Sequence, residues 1–397
     1  MTMRDSHKVV YLDNAATTPV RKEVLEAMKP YFSEKYGNPS SLHQKGAEAK
    51  QAIEDSRKVV ANILDCTHDE IIFTSGGTES TNLAIKGFAL ANKHKGNHII
   101  TQKTEHHAVL EPCKWLEKHH GFSVTYLNVD EFGLVNPKDV EKAITDKTIL
   151  VSIMFANNEI GTIQPIREIA EICIGNNVVL HCDACQAAGY YDLEVHELGT
   201  DLLTLNGSKI YGPKGIGVLY AKRGMDIVPL IHGGEQEKGL RAGTENVPAI
   251  VGLAKALELA TKERNAEAKR LMTLRDNLIR GLLKIPQVKL NGHLIKRLPN
   301  NVDVLFSGVE GEAIVFMLSE KGICASTGSA CSSKHLTPSH VLLAIGRTPE
   351  EAHGSLRLTL GRETTEKDID YVLKVMPKVV QKLRDMSPVW KANAKNQ

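Results

Sequence analysis

Short apolar runs alternate with helix-like segments through the middle of the chain. Most of these runs are almost continuously apolar, which is typical of strands that are buried on both faces of a parallel sheet. Helix-like segments, such as residues 80–92 and 166–174, lie between them. This alternation predicts an α/β layered domain. The predicted strands are residues 71–74, 98–101, 149–154, 178–182, 202–205 and 217–221.

The pattern becomes helical after the last predicted strand. Residues 248–284 are rich in Ala, Leu, Glu, Lys and Arg, which predicts one long helix or two stacked helices. The residues that follow predict a smaller α+β unit, which ends in a helix with one apolar face between Ile369 and Leu383. Thr365 and Asp368 form a start signal for this closing helix.

Charge and hydropathy exclude several classes of partner. The chain has 397 residues, with 49 Lys and Arg against 47 Asp and Glu, and a net charge of +2. This balance gives no electrostatic reason to expect nucleic acid or a membrane surface as a partner. No segment approaches the roughly 18 apolar residues of a membrane helix, and no apolar run of a secretory signal follows the first residues. We therefore expect a cytoplasmic protein.

Seven cysteines are scattered along the chain. An odd number, in a long chain without an export signal, argues against a disulfide framework and for a reducing compartment. Cys182 and Cys185 form a lone Cys-x-x-Cys. Because no second pair lies nearby, we interpret them as core cysteines rather than as a zinc or redox pair.

The first predicted strand is followed by residues 75–80, which contain two glycines and open a helix. Ligands of open parallel sheets bind outside the carboxyl ends of the strands. Free N–H groups at a helix start, approached through glycine, favour a phosphate group. An ordinary capped turn explains this segment equally well when the segment is taken alone.

The next strands end in polar side chains that together suit one cofactor. They supply an imidazole at His106, an amide at Asn158, a carboxylate at Asp183 and an amine at Lys209. Pyridoxal phosphate (PLP) needs a lysine that holds it as a Schiff base, a carboxylate against its pyridine nitrogen and a phosphate cradle. A solvated loop lysine is the simplest explanation of Lys209 alone, but its place at a strand end favours the cofactor.

An ordered series of motifs runs from Tyr11 almost to Trp390. Its members are residues 11–18, 37–41, 73–80, 104–106, 157–161, 183–186, Lys209 with its glycine-rich turn, 241–244 and 328–331. In this order they resemble the cysteine desulfurases of the NifS/IscS type, within the class V aminotransferase group of PLP enzymes. The resemblance implies an α/β fold of the aspartate aminotransferase type. Such a fold has a large domain around a mostly parallel seven-stranded sheet and a smaller α+β domain.

The resemblance implies domain limits and three central roles. We expect a large PLP-binding domain at residues 16–262, a small domain at 263–397, and a joining segment at 1–15. Lys209 is expected to hold the cofactor and to move the α-proton of the substrate. Asp183 is expected to pair with the pyridine nitrogen, and His106 to lie over the ring and transfer protons.

Further contacts follow from the same resemblance. It places the ring oxygen beside Asn158 and Gln186, and the phosphate beside Gly77, Thr78 and Ser208. It assigns the carboxylate of the substrate to Arg357, whose planar guanidinium suits that group, with Asn14 and Asn158 nearby. Thr244 is expected to reach across from the partner subunit of a homodimer.

Cys331 decides which reaction is expected. It lies in the small, polar stretch 325–334, which predicts a surface loop, and an exposed thiol can ionise to the nucleophilic thiolate. The resemblance implies that L-cysteine gives its sulfur to Cys331 as a persulfide and leaves as L-alanine. The surrounding sequence resembles the long-loop group of the family, which passes sulfur to acceptor proteins. An iron–sulfur scaffold and a tRNA-thiolation carrier both fit, and no resident metal is expected, although Cys331 can ligate an iron–sulfur cluster transiently.

The sequence departs from the family pattern in two places. Relatives commonly carry histidine just before the Schiff-base lysine and serine or threonine three residues before it, whereas this chain has Ser208 and Asn206. Serine can still donate to phosphate, but a charge is lost, which predicts weaker PLP retention. The chain also stops soon after Trp390, whereas relatives that dock scaffold proteins often extend further, and this leaves the scaffold partner open.

Two other functions are compatible with the sequence. A class V aminotransferase or a selenocysteine lyase would keep the PLP residues and leave Cys331 without a role. A non-catalytic scaffold for sulfur transfer would need none of Lys209, Asp183 and His106, and their presence argues against it. The sequence does not identify the sulfur acceptor.

Overall fold

The computed structural model describes residues 9–328, 337–387 and Trp390. In this part of the chain the strands are β1 (Val10–Tyr11), β2 (Ile71–Thr74), β3 (His98–Gln102), β4 (Ser123–Leu127), β5 (Thr148–Ser152), β6 (Val179–Asp183), β7 (Leu202–Asn206), β8 (Gly217–Ala221), β9 (Val288–Leu290), β10 (Asn301–Phe306), β11 (Ile323–Cys324) and β12 (Ser355–Thr359). The helices are α1 (Lys22–Met28), α2 (Pro30–Ser33), α3 (Gln44–Leu64), α4 (Gly77–Asn82), α5 (Phe88–Asn92), α6 (His107–His120), α7 (Pro137–Ala143), α8 (Ile166–Gly175), α9 (Val195–Leu198), α10 (Val247–Leu282), α11 (Gly311–Ser319), α12 (His340–Ala344), α13 (Pro349–His353) and α14 (Glu366–Met386).

Strands β2 to β8 form one sheet in the order β2-β8-β7-β6-β5-β3-β4. Strands β3 to β7 pair in parallel, whereas β8 runs antiparallel to both β7 and β2. Neighbouring residues such as Ile99 and Ile100 belong to different apolar clusters, and both are fully buried. Because the sheet is covered on both faces, its inner strands are apolar at consecutive positions. The α/β fold with a mostly parallel seven-stranded sheet is confirmed.

The apolar runs identified six of the seven strands of this sheet. The missed strand, β4, lies at the edge, where only Leu127 is buried and Ser123 is exposed, so its sequence lacks a continuous apolar run. The predicted strand at 149–154 extends beyond β5, which ends at Ser152. Ile153 and Met154 leave the ladder but remain buried, and burial alone explains why the apolar run continues.

A second, smaller sheet contains β12, β10 and β9 in antiparallel order, and β1 pairs in parallel with β11. The predicted helical segment after residue 247 is one helix, α10, of 36 residues. Leu253 in its first half belongs to the apolar cluster of the large sheet, and Leu278 in its second half belongs to the apolar cluster of the small sheet. The expected domain limit at 262/263 falls inside this helix and stays a prediction.

The closing helix α14 begins where the sequence indicated. Thr365 accepts a hydrogen bond from the backbone N–H of Asp368, and the Asp368 carboxylate accepts one from the backbone N–H of Thr365. This reciprocal pair satisfies two N–H groups that the helix start would leave without partners. Across residues 9–328 and 337–387, no helix combines the length and apolar character that crossing a membrane would require.

Candidate active site

A cavity of about 470 Å³ opens at the carboxyl ends of the large sheet. The topology predicts a ligand site at this edge, because the loops that follow parallel strands converge there. Eight of the residues proposed from the sequence line it, namely Gly77, Thr78, His106, Asn158, Asp183, Gln186, Lys209 and Arg357.

One end of the cavity is formed by the start of α4. Gly77 and Thr78 lie in its first turn, where backbone N–H groups have no partner within the helix. A Cβ atom placed on Gly77 would lie 2.9 Å from Cys185 Sγ and 3.3 Å from Asn206 Cβ. Glycine therefore leaves room between the start of α4, Cys185 and Asn206. This space suits a phosphate group, because the free N–H groups of the first turn favour an anion.

His106 is held in one tautomer at the start of α6. The backbone N–H of Ala108 donates to His106 Nδ1 over 3.0 Å, so the proton of a neutral ring resides on Nε2. Burial lowers the pKa of His106, although the charge of Asp183 opposes this shift. His106 is therefore a neutral imidazole near pH ~7 that can give or take a proton.

Asp183 ends β6, and Lys209 ends the short 3-10 helix Gly207–Lys209 that directly follows the adjacent strand β7. The backbone N–H of Cys185 donates to Asp183 Oδ1 over 3.0 Å, which fixes the carboxylate at the cavity. Lys209 Nζ donates to the carbonyl oxygens of Ala15 and Ala16 over 2.8 Å and 2.7 Å. These contacts hold the amine beside the N-terminal segment at the cavity wall.

Arg357 reaches the cavity from β12 of the small sheet, and its side chain is only 4% exposed. Its Nη1 donates to the carbonyl oxygen of Asn158 over 3.1 Å, and its Nη2 donates to Asp13 Oδ1 over 3.0 Å. Its Nε is buried and has no hydrogen-bond partner in the described part of the chain. A buried guanidinium with donor capacity left over is suited to a carboxylate ligand.

The residues present fit PLP. The cavity offers an amine at Lys209, a carboxylate at Asp183, an imidazole at His106 and a corner at Gly77 that any Cβ would fill. Amine, carboxylate and phosphate cradle are the three groups that this cofactor requires of a protein. In the described part of the chain, no group of three or more His, Cys, Asp or Glu residues is placed to hold a metal ion.

Three proposed site residues in the described part of the chain do not line this cavity. Ser208 is buried and its hydroxyl donates to Asn206 Oδ1 over 3.2 Å. The Asn14 side chain donates to the carbonyl oxygen of Thr359 over 2.8 Å. Thr244 is exposed at the surface. Cys331 lies outside the described residues. The roles of all four stay predictions.

Several cavity residues had no assigned role in the sequence analysis. Cys185 lines the cavity, whereas Cys182 is fully buried in the core, and burial raises the pKa of both thiols well above the usual range. The ring of His340 lies 4.8 Å from that of His107. Of these residues, only Cys185 could have been predicted from the sequence to line the cavity, because it lies two residues after Asp183. Other members of this group include Met154, Glu159, Thr337, Pro338 and Ser339.

Glu105 lies beneath this site and is fully buried. Its Oε1 accepts hydrogen bonds from the backbone N–H of Met154 over 2.7 Å and from Gln102 Nε2 over 2.8 Å. Burial raises the pKa of Glu105 from 4.5 to about 8, and the nearby charge of Asp183 adds to this shift. The folded protein therefore keeps this carboxyl protonated at neutral pH.

Glu105→Gln is expected to stabilise the protein increasingly as the pH rises. The unfolded chain releases this proton near pH ~4.5, whereas the folded chain keeps it to about pH 8, so folding loses about 1.4 kcal/mol per pH unit in that window. Glutamine keeps the Oε1 acceptor and has no proton to release. Denaturant unfolding of variant and parent, compared from about pH 6 to about pH 8, measures the gain. Glu111→Gln, at an exposed position of α6, is the control, and a pH-independent Glu105→Gln difference would contradict the assignment.

Ser208→His is expected to bind PLP about tenfold more tightly than the parent, because a charged donor to phosphate contributes about 1.5 kcal/mol. Ser208 directly precedes Lys209, and its hydroxyl is occupied by Asn206. Equilibrium titration of the cofactor-depleted protein with PLP measures the affinity. Ser208→Ala is the control for loss of the hydroxyl, and a histidine variant with unchanged affinity would refute the prediction.

Comparison with known proteins places the chain in a family. The family model for class-V aminotransferases matches residues 10–372. The chain is 58% identical to cysteine desulfurase IscS of Methanosarcina thermophila, over 96% of this chain and 95% of that protein. It is 55% identical to cysteine desulfurase IscS of Clostridium botulinum, over 98% of this chain and 99% of that protein.

Solved structures give the same result. A NifS-like protein superimposes with a TM-score of 0.89 at 40% identity, covering 95% of this chain and 100% of that chain. The structure titled SspA in complex with cysteine superimposes with a TM-score of 0.79 at 39% identity, covering 88% of this chain and 98% of that chain. The chain therefore belongs to the class-V aminotransferase family, within the PLP-dependent cysteine desulfurases of the NifS/IscS type.

Proposed function

We propose that this protein removes the sulfur of L-cysteine, leaves L-alanine, and holds the sulfur as a persulfide on Cys331. One observation carries the choice of this reaction. The cavity that contains Lys209 is also lined by Gly328 and Thr337, the described residues on either side of the segment that carries Cys331. The chain on both sides of Cys331 thus borders this cavity, which supports Cys331 as the sulfur acceptor.

The substrate is positioned by the groups at the small-sheet side of the cavity. Arg357 binds the carboxylate of cysteine, with Asp13 and the Asn158 carbonyl holding the guanidinium in place. This leaves the α-carbon facing Lys209, whose amine takes the α-proton. Bound PLP supplies a ring that accepts electrons from the α-carbon, and Asp183 keeps the pyridine nitrogen protonated.

Sulfur transfer is a nucleophilic displacement. The Cys331 thiol gives up its proton, and the thiolate attacks the sulfur atom of the substrate. A sulfur–sulfur bond forms while the carbon–sulfur bond breaks, and its electron pair stays with the carbon skeleton. That skeleton takes up protons and leaves as alanine. His106, whose free proton sits on Nε2, is placed at the cavity to deliver or accept these protons.

Incubation of the holoenzyme with cysteine tests the proposal. Alanine and protein-bound persulfide should form in equal amounts in the first turnover, before any reductant is added. Formation of a keto acid instead of alanine would identify an aminotransferase, and turnover of selenocysteine but not of cysteine would identify a selenocysteine lyase.

We also propose that the enzyme is a homodimer in which Thr244 serves the second subunit's cavity. Thr244 lies at the surface and outside its own cavity, as such a role requires. The persulfide is then passed to an acceptor protein, either an iron–sulfur scaffold or a tRNA-thiolation carrier. The six cysteines in the described residues are all free thiols. Free thiols suit a reducing compartment, and we therefore propose a cytoplasmic setting.

A further inference from the structure

Glu159 joins the two parts of the molecule beside the cavity. It ends the turn that follows β5, where its backbone N–H donates to Asn157 Oδ1 over 2.8 Å. Its carbonyl oxygen accepts a hydrogen bond from Asn301 Nδ2, on β10 of the small sheet, over 2.9 Å. Its side chain is nearly fully buried. The backbone of Glu159 is therefore held between the loop that follows β5 and strand β10.

One oxygen of the Glu159 carboxyl group contacts two residues that are distant in sequence. Ser339 Oγ donates to Glu159 Oε2 over 2.5 Å. A Cβ atom placed on Gly328 would lie 2.6 Å from the same Oε2, so the backbone of Gly328 packs directly against it. Gly328 and Ser339 lie on either side of segment 329–336, which includes Cys331. The residues that flank this segment on both sides therefore contact the same oxygen atom, Glu159 Oε2.

The surroundings of Glu159 explain why its carboxyl group does not move aside easily. Arg357 faces it, and the buried Asp303 lies on its other side, with Oδ2 3.8 Å from the Cβ position of Gly328. Burial raises the pKa of Glu159 to about 7 and that of Asp303 to about 7, while Arg357 opposes both shifts. A Cβ atom at position 328 would therefore overlap the buried carboxyl group of Glu159, which has Asp303 in van der Waals range of the same point, and repacking this group is costly.

We propose that Glu159 is a positioning residue for sulfur transfer, which sets where the two ends of the Cys331 segment stand relative to Lys209. Gly328, Ser339 and Glu159 all line the cavity that contains Lys209. The contact of the Glu159 carboxyl group with the other two residues therefore lies in the same cavity as the Lys209 amine. This role rests on the proposed function. It concerns the delivery of Cys331, because the contacts of the Glu159 carboxyl group are with Ser339 and Gly328 at the ends of that segment.

Three variants test the contact. Gly328→Ala should slow single-turnover persulfide formation about tenfold, because a displacement of 1 Å or less at the nucleophile has effects of this size. Glu159→Ala should slow it similarly. In the double variant, the Gly328→Ala change should cost nothing beyond Glu159→Ala, because the methyl group then has room. Glu159→Gln, which keeps the shape and the acceptor for Ser339, should retain most of the rate.

The visible absorbance of bound PLP, and its change when cysteine is added, provide the second measurement. Both should be the same in Gly328→Ala as in the parent, because this change alters neither Lys209 nor Arg357. In Glu159→Ala the absorbance of bound PLP should be the same, whereas its response to cysteine can shift because Arg357 faces position 159. The proposal would be overturned if Gly328→Ala formed persulfide at the rate of the parent. It would also be overturned if Gly328→Ala slowed persulfide formation as much in the Glu159→Ala background as in the parent. If Gly328→Ala does not fold, Glu159→Ala against Glu159→Gln decides the question, and equal rates for these two would also overturn it. A parent enzyme that forms no persulfide would instead refute the proposed function.

Discussion

Lys209→Ala is expected to abolish covalent PLP binding and to lower the rate of alanine formation by a factor of roughly 10²–10⁴. Lys209 is the one lysine among the described residues that line the cavity, and Asp183 and His106 line the same cavity. No other amine in that part of the chain can replace it as the base for the α-proton. Absorbance of the purified protein measures the bound cofactor, and chromatography of the products measures alanine.

Lys214→Ala is the matched control for this prediction. Lys214 lies in the same glycine-rich turn, but it is exposed and does not line the cavity. The control should keep both the absorbance and the rate. A Lys209→Ala protein with the absorbance of the parent, or with a rate like that of Lys214→Ala, would show that another residue holds the cofactor.

Cys331→Ser is expected to eliminate the persulfide while leaving PLP binding unchanged. A serine hydroxyl is far less ionised and far less nucleophilic toward sulfur than a thiol, so transfer should fall by roughly 10³-fold or more. The absorbance of bound PLP and its response to cysteine should persist, because the groups that bind cofactor and substrate are on other elements. Alkylation with a mass tag, read by peptide mapping, measures the persulfide.

Cys324→Ser provides the control for the loss of a thiol near the same segment. Cys324 lies in β11 and is only partly buried, but it does not line the cavity. Its persulfide yield should match that of the parent. Persulfide found on Cys185 in the Cys331→Ser protein would contradict our account, because it would show that Cys185 can accept the sulfur in place of Cys331.

The large sheet could be predicted because its strands are buried on two faces. Leu202 and Leu203 pack in different clusters on opposite sides of the sheet, so both positions must be apolar and the run is visible in the sequence. Strand β4 could not be predicted in this way, because its exposed and half-buried positions interrupt the apolar run, although Val124, Thr125 and Tyr126 favour a strand. The length of α10 was visible in its composition, but its contact with both sheets was not.

The site was predictable where the chemistry follows a strand directly. His106, Asp183 and Lys209 each lie within a few residues of a strand end, and the topology of a parallel sheet then brings them together. Residues that reach the cavity from the small sheet or from the C-terminal third have no such local signal. Ser339 and His340 line the cavity because of tertiary packing, which no pattern in their own segment records.

Asn14 illustrates a second limit. Its place in the N-terminal motif suggested a contact with substrate, but its amide donates to the backbone of β12 at Thr359. A Cβ atom on Gly361 would lie 2.4 Å from Asn14 Oδ1, so the whole amide is packed against the small sheet. The motif therefore did not indicate this contact with β12, and the contact of Asn14 with substrate stays a prediction.

Reduction of the holoenzyme with borohydride, followed by peptide mapping, tests the central claim most directly. Our account predicts one modified peptide, with the reduced cofactor attached through nitrogen to the side chain of Lys209. A modified peptide that contains a different lysine, or a protein that releases all of its cofactor unreduced, would contradict the account.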